Sequence, residues 1–188
     1  MCVCRCLLGW LAAALSLGHP GLAGEAHGGR RTGSGERKPG GALRDAVHRY
    51  QVVIAPGWRP IEPPQGTLVA YQAPRGRATL AVTRIDVGTR RARDLAALIA
   101  DVERGVERAT PGFRRRSRKI GRSGVVGTLD LVYERDAPPG SPRRIVSRYL
   151  FFARYTVVLS IGLGPAAGRA ERRAAESIAR SFAPFQVP

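Results

Sequence analysis

The apolar run Arg144 to Leu163 (RIVSRYLFFARYTVVLSIGL) constrains this chain more than any other stretch. It is long enough to cross a bilayer, but Arg148 and Arg154 lie inside it, and each would cost roughly 2.5 to 3.5 kcal/mol at the bilayer centre. Val157, Val158, Ile161 and the aromatic residues favour extended backbone instead. The run therefore reads as a β-hairpin. A turn centred on Ala153 and Arg154 sets Phe152 opposite Tyr155 and gathers Val146, Leu150, Phe152, Tyr155, Val157, Leu159 and Ile161 on one face, which is a core. The other face collects Ile145, Tyr149, Phe151 and Val158 among Ser147, Thr156 and Ser160. Being half apolar, it is either covered by another element or open to a partner. Ala-Arg is a poor tight-turn dipeptide because neither residue favours positive φ, and a three-residue loop would exchange the partners across faces.

The rest of the chain supplies elements for that hairpin to pack against. Tyr50 to Ala55 reads as a short strand stopped by Pro56-Gly57, with Trp58 as a core lid rather than a ligand platform. Leu68 to Gln72 and Ala78 to Val87 alternate around the turn residues Pro74 to Arg77 and make a second hairpin. A helix follows over Arg93 to Ala109, its stripe made by Leu95, Leu98, Ile99, Val102 and Val106 and its end marked by Thr110-Pro111-Gly112. Val125 to Glu134 is a further strand, with Leu129, Leu131 and Tyr133 on one face and Asp130 and Glu134, paired with arginines, on the other. After Gly164-Pro165 a last helix carries Ala170, Ala174, Ala175, Ile178 and Phe182 as its stripe. The sum is an α+β domain: a mainly antiparallel sheet of about six to seven strands with one mid-chain and one C-terminal helix packed on it.

Between the first helix and the Val125 strand lies FRRRSRKI, Phe113 to Ile120. Arg114, Arg116 and Arg118 would share one face of a strand, and Arg115, Ser117 and Lys119 the other, so neither face suits burial. Two readings fit: an edge strand that charge protects from pairing with other chains, and an anion-contacting ladder that Arg122 extends.

The N-terminus reads MCVCRCLLGWLAAALSLGHPGLAGEA, with Arg5 before an apolar segment from Leu7 to Leu17 and small residues around Ala23 and Ala26. This pattern predicts a secretory leader over residues 1–23, hence a periplasmic or secreted protein, then a flexible Gly/Arg-rich linker over 24–46 and one domain over 47–188. Cys2, Cys4 and Cys6 would leave with the leader, so the mature chain has neither disulfides nor thiolate metal sites. The formal charge is +17, or +16 without Arg5, carried almost wholly by arginine against 14 acidic residues. A chain this basic feels anionic lipid head groups, wall polymers or acidic partners within about 8 to 10 Å. Export separates it from nucleic acid, and no transmembrane segment is expected after the leader.

Catalytic constellations do not assemble. The domain's one histidine, His48, sits at its margin as an expected surface residue, so neither a Ser-His-Asp relay nor a histidine metal site has its parts. Asp130 and Glu134, four apart on a strand, would stand about 13 Å apart, too far for a glycosidase pair. Gly162-Leu163-Gly164-Pro165-Ala166-Ala167-Gly168 lies between strand and helix like a dinucleotide loop, but its last glycine comes one residue late.

Tyr50-Gln51-Val52 leading to Pro56-Gly57-Trp58, the strand pairs flanking one mid-chain helix, and the ending Ser177-Ile178-Ala179-Arg180-Ser181-Phe182 resemble the PsbP-like group. That group includes the Ran-binding Mog protein, the bacterial envelope protein DcrB and chaperones for type VI secretion effectors. The resemblance spans about Tyr50 to Phe185 and implies a PsbP/Mog-like sandwich, no catalytic role for most members, and protein binding or assembly through the sheet or loops. It brings no active site and no cofactor, because nothing here matches the photosynthetic members' metal ligands. The effector chaperones work in the cytoplasm, at odds with the leader. The expectation is an exported, non-catalytic module that binds an envelope protein through Ile145, Tyr149, Phe151 and Val158. The alternative is electrostatic attachment to anionic lipid or cell-wall polymer through Arg114, Arg115, Arg116, Arg118 and Lys119.

Overall fold

In the computed structural model the apolar run forms the expected hairpin, β8 (Arg144–Phe151) and β9 (Tyr155–Leu163). Phe151 stands against Thr156, and the Phe152 N–H donates to the Tyr155 carbonyl at 2.9 Å, so the turn is the two-residue Ala153-Arg154 and both predicted faces hold. The structure describes residues 41–86 and 94–185. The expected leader and residues 24–40 of the expected linker lie outside these.

The other strands are β1 (Ala42–Asp45), β2 (Tyr50–Val53), β3 (Arg59–Ile61), β4 (Thr67–Gln72), β5 (Ala78–Asp86), β6 (Arg114–Ser123), β7 (Val126–Glu134) and β10 (Ala183–Pro184). The helices among the described residues are α1 (Leu95–Ala109) and α2 (Arg169–Ser181). Seven strands make one antiparallel sheet in the order β3-β4-β5-β9-β8-β7-β6, and β1, β2 and β10 make a second, in the order β1-β2-β10. The hairpin occupies the middle of the large sheet. The outer strands are β3, which contains Pro60, and β6.

The alternation of the central strands creates two cores. One face of the large sheet, with Leu80, Val82, Leu150, Val157, Leu159 and Ile161, packs against Tyr50, Val52, Ile54 and Trp58 and against Ala175, Ile178 and Phe182 from α2 and its end. Trp58 is 2% exposed, a core residue as expected. The opposite face, with Leu129, Leu131, Tyr133, Ile145, Tyr149, Phe151 and Val158, packs against Ile99 and Val106 of α1. The Asp94 carboxylate accepts from the Ala96 N–H at 2.8 Å and fixes where α1 begins.

Three details differ from expectation. The fold starts before residue 47: Ala42 pairs with Val53, the Ile54 N–H donates to the Gly41 carbonyl at 3.1 Å, and Leu43 packs on the core, all within the range expected for a linker. Ala170 is exposed, and Ala179 is buried with Ala175 and Ile178, which turns the α2 stripe toward its C-terminal half. His48 is half-buried rather than a free surface residue, with Nδ1 2.8 Å from Asp45 Oδ2 at the β1–β2 turn.

Candidate functional site

The face expected to dock a partner is closed by the chain itself. Ile145 and Tyr149 are 0% exposed, Val158 2% and Phe151 5%. Leu95, Leu98 and Val102 border Ile99 and Val106 over them, so the whole apolar stripe of α1 is spent on this face. The physical reason is reciprocal need: an amphipathic helix must bury its stripe, and this half of the sheet offers matching apolar area. On it Ser147 and Ser160 share a buried hydroxyl hydrogen bond of 3.1 Å, whereas the Tyr149 hydroxyl and Thr156 Oγ1 are buried without a partner among the described residues. Burial pushes the Tyr133 hydroxyl up to about 12, and Tyr149 up as well, so both stay neutral.

The arginine-rich segment is β6, an edge strand paired only with β7 among the described residues. Pairing passes from Arg115 opposite Tyr133 to Ser117 opposite Val132, leaving Arg116 as an extra residue. This bulge breaks the expected alternation. Arg115 and Arg118 therefore reach the same carboxylate of α1, Glu103, at 3.7 and 2.6 Å. Arg114 pairs with Asp136 at 3.2 Å and Arg116 with Glu134 at 2.6 Å. Lys119 stands opposite Asp130, which also lies 3.4 Å from Arg148. Burial raises the Asp130 carboxyl, against the lowering pull of Arg148 and Lys119. Much of the predicted ladder is thus neutralised in place.

A group of cations without a carboxylate gathers at one end of the sheet. Cross-strand register sets Arg114, Glu134, Arg144 and Leu163 side by side in one row across β6, β7, β8 and β9. Beyond the row, the Arg135 N–H donates to the Arg143 carbonyl at 2.8 Å and the Arg143 N–H to the Leu163 carbonyl at 3.1 Å, which draws the next residues together. Gly164 and Pro165 lead from β9 into α2, whose first turns present Arg172. These residues line a cleft of about 290 Å³: Arg114, Arg135, Arg143, Arg144 and Arg172, with Glu134 as its one carboxylate. The Arg116 hydrogen bond, followed by the charges of Arg116, Arg144 and Arg114, holds the Glu134 carboxyl below its usual range. Among the described residues, Arg135, Arg143, Arg144 and Arg172 form no ion pair, nor does Arg122 at the other end of β6. The Nε of Arg144 is buried without a hydrogen-bond partner.

Solved structures share this architecture. Cyanobacterial PsbP (CyanoP) from Synechocystis gives a TM-score of 0.56 at 10% identity, covering 82% of this chain and 98% of that one. The protein Mog1, solved as a point mutant, gives 0.52 at 12% identity, covering 78% and 96% of the two chains. The chain has the PsbP/Mog-like fold. A Pseudomonas aeruginosa protein of unknown function gives 0.51 at 12% identity, covering 79% and 100%. No family model matches the sequence, and no curated protein sequence matches it. At such identities the PsbP/Mog-like likeness concerns the fold, so the cleft's chemistry rests on this chain's own side chains.

Of the expected anion-contacting residues, only Arg114 lies in the cleft; Arg115, Arg116, Arg118 and Lys119 stay on the strand beside it. Sequence reasoning missed Arg135, Arg143, Arg144 and Arg172. The available signal was the placing of Glu134-Arg135 and Arg143-Arg144 on either side of the Pro138-Pro139-Gly140-Ser141-Pro142 loop, which any hairpin pairing brings together.

Proposed function

We propose that this protein is a non-catalytic binding module of the cell envelope, delivered by its N-terminal leader and attached through its arginines to an anionic lipid or wall-polymer surface. One observation carries this reading: the carboxylates Glu103, Asp130, Glu134 and Asp136 around β6 are already engaged by arginines, while Arg122, Arg135, Arg143, Arg144 and Arg172 have no such partner among the described residues. Arg122, Arg143 and Arg172 are exposed and Arg135 and Arg144 half-buried, and this surplus raises the local concentration of anions. The apolar face expected to take a protein partner lies beneath α1, which leaves the arginines as the surface this reading uses.

The non-catalytic reading is supported by the arrangement of the reactive groups. Among the described residues no three His, Cys, Asp or Glu side chains come together. His48 adjoins the start of β9, since its carbonyl accepts from the Tyr155 hydroxyl at 3.3 Å. The cleft adjoins the far end of that strand, roughly 26 Å away by strand rise. Among the described residues no helix is long and apolar enough to cross a membrane.

The test is co-sedimentation of the chain from Gly24 to Pro188, as export would leave it, with vesicles. Binding to phosphatidylglycerol-containing vesicles, weakened by joint Lys119→Glu and Arg122→Glu substitution and released at about 0.5 M salt, is the expected result. Equal binding to phosphatidylcholine alone overturns the proposal.

A further inference from the structure

We infer that the cleft formed by the ends of β6, β7, β8 and β9 and the first turns of α2 is a discrete site for a phosphate ester: a phosphate group on a small, hydroxyl-bearing carrier. This rests on the proposed anionic-surface function and narrows it to one pocket.

Four features point to such a ligand. First, the cations converge from separate elements: Arg114 from β6, Arg135 and Arg143 from the β7–β8 connection, Arg144 from β8 and Arg172 from α2. A planar carboxylate is satisfied by one or two guanidinium forks, whereas a tetrahedral phosphate offers oxygens in several directions. Second, a buried guanidinium N–H without a partner is costly, and Arg144 Nε is one. Arg144 also lines the cleft with no ion-pair partner among the described residues, so a phosphate there would balance its charge.

Third, α2 carries Arg169, Arg172 and Arg173 at its start, against the helix dipole, which favours anions there. Glu171 is the single acidic residue of that turn, and it is spent on the Gly168 N–H at 3.0 Å and on Arg77 at 3.6 Å. An anion lying against Arg172 would offset the repulsion between those cations and the positive end of α2. Fourth, the size is restrictive. A cleft of about 290 Å³ is at the lower limit for small-molecule sites and holds one head-group-sized unit. Glu134, held ionised by Arg116 at 2.6 Å, would repel a bare anion placed against it but accepts a hydroxyl from the carrier.

The experiment is isothermal titration of the full chain with glycerol 3-phosphate at low salt. One saturable site is expected, weakened at least about tenfold by Arg144→Ala. Arg154→Ala removes equal charge at the exposed β8–β9 turn, the other end of the hairpin from Arg144, and is expected to leave the affinity unchanged. Arg172→Ala, on an exposed part of α2, keeps the test decisive if Arg144→Ala fails to fold, and it too is expected to weaken binding.

Vesicles of phosphatidylglycerol, with phosphatidylcholine as control, separate the sources. If glycerol 3-phosphate competes with vesicle binding and both depend on Arg144 and Arg172, the cleft takes a lipid head group. If it binds with that dependence but does not compete, the cleft takes a free phosphate ester. Equal losses from Arg154→Ala and Arg144→Ala, or no saturable binding in either arm, overturn the cleft. Vesicle binding that survives Arg144→Ala and Arg172→Ala but falls with Lys119→Glu and Arg122→Glu, together with no saturable binding of glycerol 3-phosphate, overturns the cleft while leaving the surface function standing.

Discussion

Glu103 on α1 takes two arginines of the edge strand at once: Arg118 Nε lies 2.6 and 2.8 Å from its two carboxylate oxygens, and Arg115 Nη1 lies 3.7 Å from one of them. One carboxylate thereby ties helix to sheet edge and withdraws two cations from the surface. Glu103→Gln is expected to raise affinity for phosphatidylglycerol vesicles several-fold at low salt, with the gain gone at about 0.5 M salt. Co-sedimentation across a salt series checks this. An unchanged low-salt affinity would mean that Arg115 and Arg118 never meet the surface.

Phe151 is 5% exposed beneath α1, so Phe151→Asp places a carboxylate in an apolar core. The expected loss is about 4 kcal/mol or more, through an unpaired buried charge. Urea denaturation measures it. A stable Phe151→Asp protein would mean that α1 leaves this face readily, and would return the face to the list of docking surfaces.

Ser147 and Ser160 satisfy each other 3.1 Å apart in the core beneath the helix. Either single change to alanine leaves one buried hydroxyl unpaired and is expected to cost about 1 to 3 kcal/mol, whereas changing both together costs less than the sum. A double-mutant cycle by chemical denaturation reads the coupling directly.

Acid stability should report the Arg116–Glu134 pair. Its hydrogen bond, followed by nearby arginine charge, lowers the folded-state pKa of Glu134. A depressed folded value means the pair contributes fully above the unfolded carboxyl range near about 4.3 and is lost as pH falls through the lower folded value. Thermal melts between about pH 6 and 3 should therefore fall more for the wild type than for Glu134→Gln. The difference should be small, because solvent screens the pair. Parallel curves would show that the pair adds nothing.

The hairpin was legible in the sequence because its two-residue turn fixes the parity of every side chain on β8 and β9, and apolar residues on both faces leave a slip nothing to gain. The α1 stripe was legible for the same reason of period. Its destination was not, since periodicity says that a helix is amphipathic without saying which face of a sheet receives it. The bulge at Arg116 was hidden because its neighbours are also arginines: a shift of register changes no visible pattern when every position carries the same charge. The start of β1 was hidden by composition, with Leu43 the one large apolar residue amid glycine and charge. The cleft arises from the ends of four strands and a helix, and only the assembled sheet puts Arg144 between Glu134 and Leu163.

The outer strands bear on how such a protein behaves in a crowd. Molecules drawn to a charged surface meet one another far more often than in free solution, and a sheet with an open rim invites its neighbours to zip onto it. Here one rim carries Pro60, and the other is interrupted at Arg116 and studded with like charges. Neither rim of the large sheet offers a neighbour a clean strand to pair with. On the anionic surface proposed above, growth by strand pairing along the large sheet would therefore be blocked, and coverage would be set by the surface beneath.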